Sequence, residues 1–463
     1  MIRDIMAGLD IGTSSLKFTV IDANSGNTIK NMRVEYEGKE ISTGVVPVSM
    51  YEKTLLDVIN SLNQEYNLLA IGFSFQMYSL CEKTPNGMVA YQWNSIWNKE
   101  AGIEKSLKKY MRRSGCPVDT IYPAYKLYSS RDKGKTFVPY GLKEHIIKFL
   151  TGNLVTDYSC ASASGLLDIY DMSWNKELIE DIGFSLTEMP EIKRYNTVVG
   201  YLNIPGSGLS NTKIPIVTGL GDGMSASYAC RDLSKICANL GTSMAARAFV
   251  DRENLNYSDK TWAYVFDEKT YIVGGISSNG CSVLNWLENL KLYNSEDTIE
   301  TDKNGVMFFP WLHGERTPYW SSNLKGTFAG IEIDTSINSI ITAVVKGVSF
   351  TIANLINIVR TDVGESGMII AAGGGIHKKA LLEFLSGSIP LELGILYDSD
   401  YLASHGAAAA AADAIGISAK KNIEIKDVIK PSFRYKDEYE KWLQMGNKFA
   451  SLYDGYKDEN SAV

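Results

Sequence analysis

The chain has 463 residues, of which 45% are hydrophobic and 21% are charged. This ordinary globular composition favours two large domains or three small ones, with enough chain to bury a core without disulfides or metals. The net charge of −7 and the absence of a basic run argue against a nucleic-acid surface. Six scattered cysteines without Cys-x-x-Cys spacing, and only four histidines, indicate reduced thiols and no zinc site.

The ends and the apolar stretches of the chain predict a cytoplasmic protein without a membrane partner. The N-terminus enters a strand directly and lacks the hydrophobic region of a signal peptide. No apolar stretch is expected to reach the roughly 20 residues of a membrane helix. The alanine run at 407–412 is short and predicts a packed core helix.

The first half of the chain alternates between strand and helix patterns. Residues 5–22 predict a strand, a tight glycine turn and a second strand, in which Leu16, Phe18 and Val20 share one face. Residues 54–64 predict a helix, and a buried strand follows at 68–75. This alternation is typical of an α/β protein.

The second half continues the same pattern. Residues 339–359 predict a long helix, 367–372 a buried strand, 373–375 a glycine turn, and 378–385 a helix. A strand, a glycine-rich turn and a helix in this order are found at many nucleotide sites. The Walker A pattern is absent, and no Gly-x-Gly-x-x-Gly follows a strand to open a helix, so neither a P-loop kinase nor a dinucleotide enzyme is supported.

An internal repeat indicates how the domains are organised. The pattern of residues 10–14, Asp-Ile-Gly-Thr-Ser, returns about half a chain length later as Asn-Leu-Gly-Thr-Ser at 239–243. Each copy lies between two apolar segments. We therefore predict two domains of related fold, comprising residues 1–229 and 230–463.

The first copy of the repeat has the residue types of a phosphate-binding turn. Gly12 allows backbone N–H groups to point at a phosphate, and Thr13 and Ser14 add hydroxyl donors. Lys17 is close enough in the chain to reach a phosphate oxygen, and Asp10 at the strand end suits Mg²⁺. The alternative is an ordinary β-hairpin with a Gly-Thr-Ser turn.

The second copy, which comprises Gly241, Thr242 and Ser243, favours the functional interpretation. Two phosphate turns that face each other across a cleft would hold a triphosphate from both sides. A third glycine turn, Gly373, Gly374 and Gly375, removes side chains where a base or phosphate could lie on the backbone. By itself this third pattern is common.

Asp222 is the candidate general base. It lies in the segment 219–223, Gly-Leu-Gly-Asp-Gly, where the small neighbours let a ligand approach and permit unusual backbone dihedrals. A carboxylate so placed could accept the proton of a substrate hydroxyl. The alternative is an Asp-Gly turn.

Polar and aromatic residues at 74–78 and 93–98 are candidates for a polyol site. The C–H faces of a sugar stack on tryptophan, and its hydroxyls pair with amides and carboxylates. The alternative is that these aromatic side chains belong to the core.

Taken in order, these motifs resemble the FGGY family of carbohydrate kinases, in the superfamily that contains actin and hexokinase. The resemblance covers nearly the whole chain. Its segments are GLDIGTSSLK at 8–17, IGFSFQM at 71–77, the run 143–174, GLGDG at 219–223, NLGTS at 239–243, GVMFFPWLHGERTPYW at 305–320 and AAGGGIHKKALLEFLSGSIP at 371–390.

The resemblance implies a fold, an activity and a set of roles. It implies two actin-like, ribonuclease H-like α/β domains with a cleft between them, ATP and Mg²⁺, a small sugar or sugar acid as substrate, and often a homodimer. Asp222 would be the base, and Asp10 would position the metal ion. The implied ATP contacts are Gly12, Thr13, Ser14, Lys17, Gly241, Thr242, Ser243, Gly373, Gly374, Gly375 and Lys378. The implied substrate contacts are Gln76, Met77, Tyr78, Trp97, Asn98 and Asp222.

Within the family, the segments 273–287, 115–123 and 315–320 resemble gluconate kinases, although xylulose kinases share much of this pattern. The Met-His pair of xylulose kinases stands here as Met77-Tyr78, and the Arg-Glu pair of glycerol kinases is not matched. Lys99 replaces an acidic residue of several subfamilies and would favour a carboxylate-bearing substrate if it points inward, or else lies on the surface.

These features make D-gluconate the first choice of substrate and xylulose or another ketose the second. Two other classes stay open, a non-catalytic sugar and nucleotide sensor and a filament-forming actin relative. His313 and His377 lie inside the motifs, and the sequence assigns neither a role.

Overall fold

A computed structural model describes residues 2–37, 43–100, 102–132, 136–204, 213–293, 305–364, 367–417 and 423–460, with side chains up to 453. The chain forms two compact units. The N-terminal unit comprises Met1–Cys230, Ala263–Ile272 and Tyr401–Ile423, and the C-terminal unit comprises Arg231–Trp262, Val273–Asp400 and Glu424–Val463.

The strands up to residue 221 are β1 (Asp4–Ile11), β2 (Ser15–Asp22), β3 (Thr28–Glu35), β4 (Val45–Pro47), β5 (Asn67–Phe75), β6 (Leu80–Thr84), β7 (Gly87–Tyr91), β8 (Val155–Asp157), β9 (Leu167–Asp168), β10 (Ser173–Trp174), β11 (Glu191–Lys193), β12 (Val198–Tyr201), β13 (Pro215–Val217) and β14 (Leu220–Gly221). The later strands are β15 (Ile236–Leu240), β16 (Met244–Asp251), β17 (Trp262–Val265), β18 (Thr270–Ser277), β19 (Met307–Phe309), β20 (Thr327–Ala329), β21 (Met368–Ala372), β22 (Glu392–Leu396) and β23 (Ile425–Ile429).

The helices are α1 (Val48–Glu65), α2 (Ile103–Met111), α3 (Pro123–Ser130), α4 (Leu142–Thr151), α5 (Tyr158–Ala163), α6 (Lys176–Asp181), α7 (Asp222–Ala229), α8 (Cys281–Asn289), α9 (Ile337–Val363), α10 (Lys379–Ser388), α11 (Leu402–Ala414) and α12 (Lys436–Asn460). Helix α1 begins six residues before its predicted start at 54, and the limits of α9, β21 and α10 lie within four residues of those predicted. Such differences are ordinary, because helix ends are set by capping and packing.

The two copies of the Gly-Thr-Ser repeat occupy equivalent places in two sheets. The first sheet has the order β12-β13-β5-β1-β2-β3, with β14 beside β5, and the second has the order β17-β18-β16-β15-β21-β22-β23. In each, the strand before the repeat pairs antiparallel with the strand after it and parallel with a later strand, β5 or β21. The first turn has four residues between the partners Ile11 and Leu16, and the second has three between Leu240 and Met244.

Successive side chains of β1 point to opposite faces of the sheet, as the strand geometry requires. Ile5, Ala7 and Leu9 join a core cluster that contains residues of α1 and α4. Met6 lies on the other face, in a cluster with alanines of α11. The predicted packed alanine helix is therefore confirmed, since residues 407–412 of α11 are buried.

Helix α11 and the segment Ala263–Ile272 come from the second half of the sequence but belong to the N-terminal unit. Ser404 of α11 hydrogen-bonds Thr19 of β2 through their hydroxyls at 2.7 Å, and Ala263 donates its amide to the Gly115 carbonyl at 2.8 Å. The predicted domains 1–229 and 230–463 are each continuous in sequence, whereas these units are not. The domain limits stay a prediction.

Helix α9 corrects the expectation that no apolar stretch reaches membrane length. Among the described residues, it is the one helix long and apolar enough to cross a membrane, with a mean hydropathy of 1.7 over its most apolar window. However, 89% of that window is buried inside the protein. This burial is that of a core helix, and the cytoplasmic location stays a prediction.

Candidate active site

The first Gly-Thr-Ser turn connects β1 to β2 and is held by several hydrogen bonds. The Gly12 amide donates to the Ser15 carbonyl at 3.1 Å. Gln92 Nε2 donates to the Thr13 carbonyl at 3.0 Å, and Trp93 Nε1 donates to Thr13 Oγ1 at 2.9 Å. The turn is therefore held by residues 92–93, of which Trp93 belongs to the segment 93–98 predicted to lie near a sugar.

Gln76, predicted as a substrate contact, is engaged with the same turn. Its amide donates to the Ile11 carbonyl at 3.0 Å, and its Nε2 lies 3.3 Å from the Gly12 carbonyl and 3.0 Å from the Tyr51 hydroxyl. Thr13 Oγ1 donates to Gln76 Oε1 at 3.4 Å. These contacts arise because β5 ends beside β1, and they connect the predicted phosphate turn to the predicted sugar site.

Asp10 lies at the end of β1, is only 9% exposed, and accepts a hydrogen bond from Ser74 Oγ at 2.7 Å. Burial raises the pKa of Asp10 to about 6. The Ser74 hydrogen bond opposes this shift, the negative charge of Asp222 adds to it, and Lys17 opposes it. Asp10 and Asp222 thus lie within electrostatic reach of each other.

This donor set fits a magnesium ion. Among the described residues, no group of three or more His, Cys, Asp or Glu could hold a metal by itself. Magnesium is commonly bound by one or two carboxylates and completed by phosphate oxygens and water. Asp10 offers such a carboxylate, and a cation beside it would offset its burial and the nearby negative charge of Asp222.

Asp222 is the first residue of α7 and directly follows β14. Its Oδ1 accepts the Gly223 amide at 2.6 Å. Strand β14 runs parallel to β5, with Gly221 opposite Phe75, which explains how a residue more than 200 positions away reaches Asp10. The glycine before Asp222 serves the fold, because a Cβ at Gly221 would lie 2.7 Å from Met77 Cγ.

A buried ion pair supports the segment before Asp222 from the direction of α4. Lys143, which is 3% exposed, pairs with the fully buried Asp157, and its Nζ also donates to the Gly219 carbonyl at 3.0 Å. Asp157 Oδ2 in turn accepts the Ser159 amide at 2.8 Å. The segment 143–174, which carries part of the family resemblance, therefore holds the chain that leads to Asp222.

Tyr78 has a left-handed backbone, with φ of 65°, and its hydroxyl belongs to a chain of three phenols. Its oxygen lies 3.1 Å from that of Tyr264, which donates to Tyr122 at 3.2 Å. Burial raises the pKa of Tyr122 and Tyr264 well above the usual range, so both remain neutral hydrogen-bonding groups. Sequence reasoning missed Tyr264, because it lies in the second half of the chain.

Lys126 is a second residue that sequence reasoning missed. It is fully buried in α3, and its Nζ lies 3.4 Å from the Tyr78 carbonyl and 3.5 Å from both the Gln92 carbonyl and Ser95 Oγ. Lysine is almost never fully buried unless its charge is paired, and these three oxygens are partners of Lys126. Lys126 connects the loop after β5 to the loop that holds the first turn.

The contacts of Trp97 match the alternative interpretation, in which the aromatic side chains of this segment belong to the core. The Trp97 ring packs against Tyr91 and Phe137, with centroid distances of 5.8 and 5.9 Å, and its Nε1 donates to Ser129 Oγ at 2.9 Å. Asn98 is exposed. Within the described residues, Trp93 contacts the first turn and Trp97 belongs to an aromatic cluster, so the substrate role predicted for Trp97 gains no support from its contacts.

Lys99 lies at the surface, where its Nζ pairs with Glu104 Oε1 at 2.7 Å. Exposed pairs of this kind stabilise proteins by about 0–1 kcal/mol. We therefore expect Lys99→Ala to change the KM for gluconate by less than about twofold, as measured by ADP release. A rise above about tenfold for gluconate, with the KM for a neutral sugar unchanged, would instead place Lys99 on a substrate carboxylate.

The second Gly-Thr-Ser turn is held by the beginning of α8. The Gly241 amide donates to the Ser243 carbonyl at 3.2 Å. The Cys281 amide donates to the Gly241 carbonyl at 2.8 Å, and the Gly280 amide donates to the Thr242 carbonyl at 3.2 Å. The carbonyls of Gly241 and Thr242 are thus held by backbone amides at the beginning of α8.

The glycine turn 373–375 lies directly against the second Gly-Thr-Ser turn. Gly373 has φ of 87°, and a Cβ there would lie 2.8 Å from Asn239 Oδ1. A Cβ at Gly375 would lie 2.8 Å from Leu240 Cβ, whereas one at Gly374 would meet nothing within 4 Å. The contact follows from the parallel pairing of β15 with β21, and it joins two of the three predicted nucleotide turns.

Lys378 follows this turn, and its Nζ pairs with Glu288 Oε1 of α8 at 3.1 Å. His377 and His313 are exposed. The backbone amide of His313 donates to Asn279 Oδ1 at 3.1 Å. The described contacts of these histidines involve no ring nitrogen.

Comparison with known proteins decides the family. The N-terminal domain of the FGGY family of carbohydrate kinases matches residues 5–229, and the C-terminal domain of the same family matches residues 237–415. The chain belongs to the FGGY family of carbohydrate kinases. It is therefore a phosphotransferase that acts on a sugar hydroxyl, and the family uses ATP.

Gluconate kinases and xylulose kinases are among both the relatives and the solved structures. A gluconokinase of Bacillus subtilis (strain 168) is 23% identical over 389 residues, 75% of each chain, and a xylulose kinase of Staphylococcus xylosus is 26% identical over 420 residues, 81% of this FGGY kinase and 84% of the relative. The structures of a gluconate kinase and a xylulose kinase from Lactobacillus acidophilus match with TM-scores of 0.85 each, at 21% and 22% identity. They cover 98% of this chain and 100% of theirs.

These findings confirm the predicted family, the two-domain α/β fold and the carbohydrate kinase activity. At such identities the solved structures show the fold alone. The roles of individual residues in this FGGY kinase stay predictions, and so does its sugar.

Proposed function

We propose that this FGGY kinase transfers the terminal phosphoryl group of ATP to D-gluconate and forms 6-phosphogluconate. The observation that carries the choice of sugar is Tyr78. It stands where xylulose kinases carry the histidine of their Met-His pair, and its phenol is bound 3.1 Å from that of Tyr264. Because its hydroxyl is engaged with Tyr264, Tyr78 is expected to contact a sugar differently from that histidine. The gluconokinases among the relatives support the same choice.

Asp222 is proposed to accept the proton of the attacking hydroxyl. Its carboxylate is oriented by the Gly223 amide, and the N-terminus of α7 favours a negative charge at this position. Phosphoryl transfer depends mainly on positioning and on charge stabilisation. The rigid support of the preceding segment by Lys143 and Asp157 suits that requirement.

Each unit is proposed to supply one set of the predicted phosphate contacts. In the N-terminal unit, Gly12, Thr13, Ser14 and Lys17 offer backbone and side-chain donors, and Asp10 would hold Mg²⁺. A magnesium ion, when bound, neutralises phosphate charge. In the C-terminal unit the donors are Gly241, Thr242, Ser243, Lys378 and the turn at 373–375.

A coupled ADP-release assay with Mg-ATP tests the proposal against gluconate, xylulose, ribulose, fuculose, glycerol and no sugar. We expect turnover with gluconate at least about 100-fold above the other sugars in kcat/KM, because a site that hydrogen-bonds its own substrate rejects analogues that leave those polar groups unpaired. Turnover with a ketose and none with gluconate would contradict the choice of sugar and leave the kinase assignment intact.

Xylulose is the second candidate. It is favoured by the xylulose kinase relative, which matches a larger share of this chain than the Bacillus subtilis gluconokinase does. The same panel separates the two sugars.

A further inference from the structure

Glu315 is a buried carboxyl of the C-terminal unit that lies outside the predicted site. It is 4% exposed and belongs to the loop between β19 and β20. Its Oε2 accepts hydrogen bonds from Ser277 Oγ at 2.9 Å and Asn279 Nδ2 at 3.4 Å, and its Oε1 accepts the Arg316 amide at 2.9 Å. A buried carboxylate held by several donors is fixed in position, because each of these hydrogen bonds to a charged group stabilises the observed arrangement.

Asn279 adds further hydrogen bonds between the end of β18 and the loop that carries Glu315. It is fully buried, its Nδ2 also donates to the Gly314 carbonyl at 2.6 Å, and its Oδ1 accepts the His313 amide at 3.1 Å. The strand end at Ser277 and Asn279 is thereby tied to the loop that carries Glu315.

The residues that follow Asn279 support the second Gly-Thr-Ser turn. The amides of Gly280 and Ser282 lie 3.2 and 3.3 Å from the Thr242 carbonyl, and the Cys281 amide lies 2.8 Å from the Gly241 carbonyl. The two backbone segments are closely packed at this contact, since a Cβ on Gly280 would lie 2.5 Å from the Gly241 oxygen. A shift of residues 277–279 is therefore transmitted to the turn.

We propose that Glu315 is a positioning residue, which acts through Ser277 and Asn279 to hold the turn 241–243 in the conformation that binds ATP phosphates. This inference rests on the proposed phosphate role of that turn. Glu315 itself contacts no residue of the turn in the described contacts, so its effect must pass through the strand end and the first residues of α8.

The ionisation of Glu315 provides a readout that a purely structural role would not give. Burial raises the pKa of Glu315 to about 7, and the hydrogen bonds from Ser277, the Arg316 amide and Asn279, followed by the Arg316 charge, oppose the shift. The other titratable groups of the same loop are His313, Arg316, Tyr319 and Lys325, and burial and Glu315 raise the pKa of Tyr319. The strand end contributes only the neutral Ser277 and Asn279.

The direction of the pH dependence follows from the number of Glu315 oxygens that can accept hydrogen bonds. Above pH 7 both carboxylate oxygens accept hydrogen bonds, and below it one oxygen carries a proton and accepts less well. The tether to Ser277 and Asn279 is thus strongest at high pH. Glu315→Gln, which resembles the protonated acid in shape and charge, removes this pH dependence.

The experiment measures KM for ATP, KM for the accepted sugar and kcat of the wild type and Glu315→Gln between pH 6 and pH 8.5. We expect the KM for ATP of the variant to exceed that of the wild type about tenfold at pH 8, and about twofold or less at pH 6, with kcat and the sugar KM little changed. The ratio of variant to wild type cancels the titration of ATP and of Asp10. Glu253→Gln, an exposed glutamate of the same unit, is the matched control and should give a ratio of one.

Thermal unfolding distinguishes a positioning role of Glu315 from a general loss of stability in the Glu315→Gln variant. A carboxyl whose folded pKa is raised stabilises the fold below its unfolded value of 4.5, and this contribution is lost as the pH rises through about 7. At pH 8 the Glu315→Gln variant should therefore unfold at or above the wild-type temperature while it binds ATP more weakly. If that variant does not fold, Ser277→Ala, which removes one donor, is expected to raise the KM for ATP about threefold.

A ratio that is independent of pH, or an equal rise in the KM values for ATP and sugar, would overturn the role of Glu315. The failure of the proposed function has a different signature. If the wild-type protein shows no heat of binding with Mg-ATP in calorimetry, both the phosphate role of the turn and the positioning role built on it are wrong.

Discussion

Replacement of Asp222 by asparagine is expected to lower kcat by roughly 10³-fold, within the range for loss of a general base. Asparagine keeps the shape of the side chain and the bond from the Gly223 amide, which lies 2.6 Å from Oδ1, but it cannot accept the hydroxyl proton. The measurement is ADP release at saturating sugar and Mg-ATP, with ATP affinity determined by calorimetry. We expect ATP binding to be retained, since the base acts on the sugar.

Asp171→Asn is the matched control for this substitution. Asp171 is 68% exposed and pairs with Arg113 Nη2 at 3.0 Å, so its loss should leave kcat unchanged. Wild-type turnover in Asp222→Asn would refute the assignment of the base. Loss of ATP binding together with turnover would point to a role of Asp222 in the nucleotide site.

Replacement of Gly8 by alanine is expected to destabilise the N-terminal unit severely. A Cβ at Gly8 would lie 2.0 Å from the Ser404 carbonyl oxygen and 2.3 Å from the Ala408 amide nitrogen. Both are backbone atoms of α11, so the helix must move away from the sheet as a body. Overpacking of this kind costs about 3 kcal/mol or more, and we expect a fall of several degrees in the unfolding temperature or insoluble protein.

Two further glycines provide a comparison and a control for this prediction. Gly72 of β5 faces the same helix, with a Cβ position 2.0 Å from the Ala407 carbonyl oxygen, and its alanine variant should be destabilised similarly. Gly367 has open space around its Cβ position, so Gly367→Ala should be neutral or slightly stabilising. Calorimetric scans of the three variants test this order. Equal unfolding temperatures for Gly8→Ala and Gly367→Ala would show that α11 does not pack on β1.

Much of the site was predictable because its chemistry is local. A glycine turn between two apolar strands can be recognised from five residues. Its second copy at 239–243 indicated two domains of related fold. The alternation of β1 and β2 also followed from residue order, since successive strand side chains must point to opposite faces.

Other features could not be predicted because they join residues far apart in sequence. Lys99 and Trp97 are residue types suited to a sugar-acid site. However, Lys99 pairs with Glu104, and Trp97 packs within an aromatic cluster. The partners of Tyr78 and the burial of Lys126 depend on which loops meet, and no spacing encodes that.

The sequence by itself determined the two Gly-Thr-Ser turns, the candidate base Asp222 and the family, since these depend on short patterns and their order. The tertiary structure decided that α11 belongs to the N-terminal unit, that Asp10 and Asp222 lie within electrostatic reach of each other, and that Glu315 is buried and bound by Ser277 and Asn279. Close packing is the physical reason. Which side chain is buried, paired or shifted in pKa depends on neighbours that the folded chain brings from distant positions.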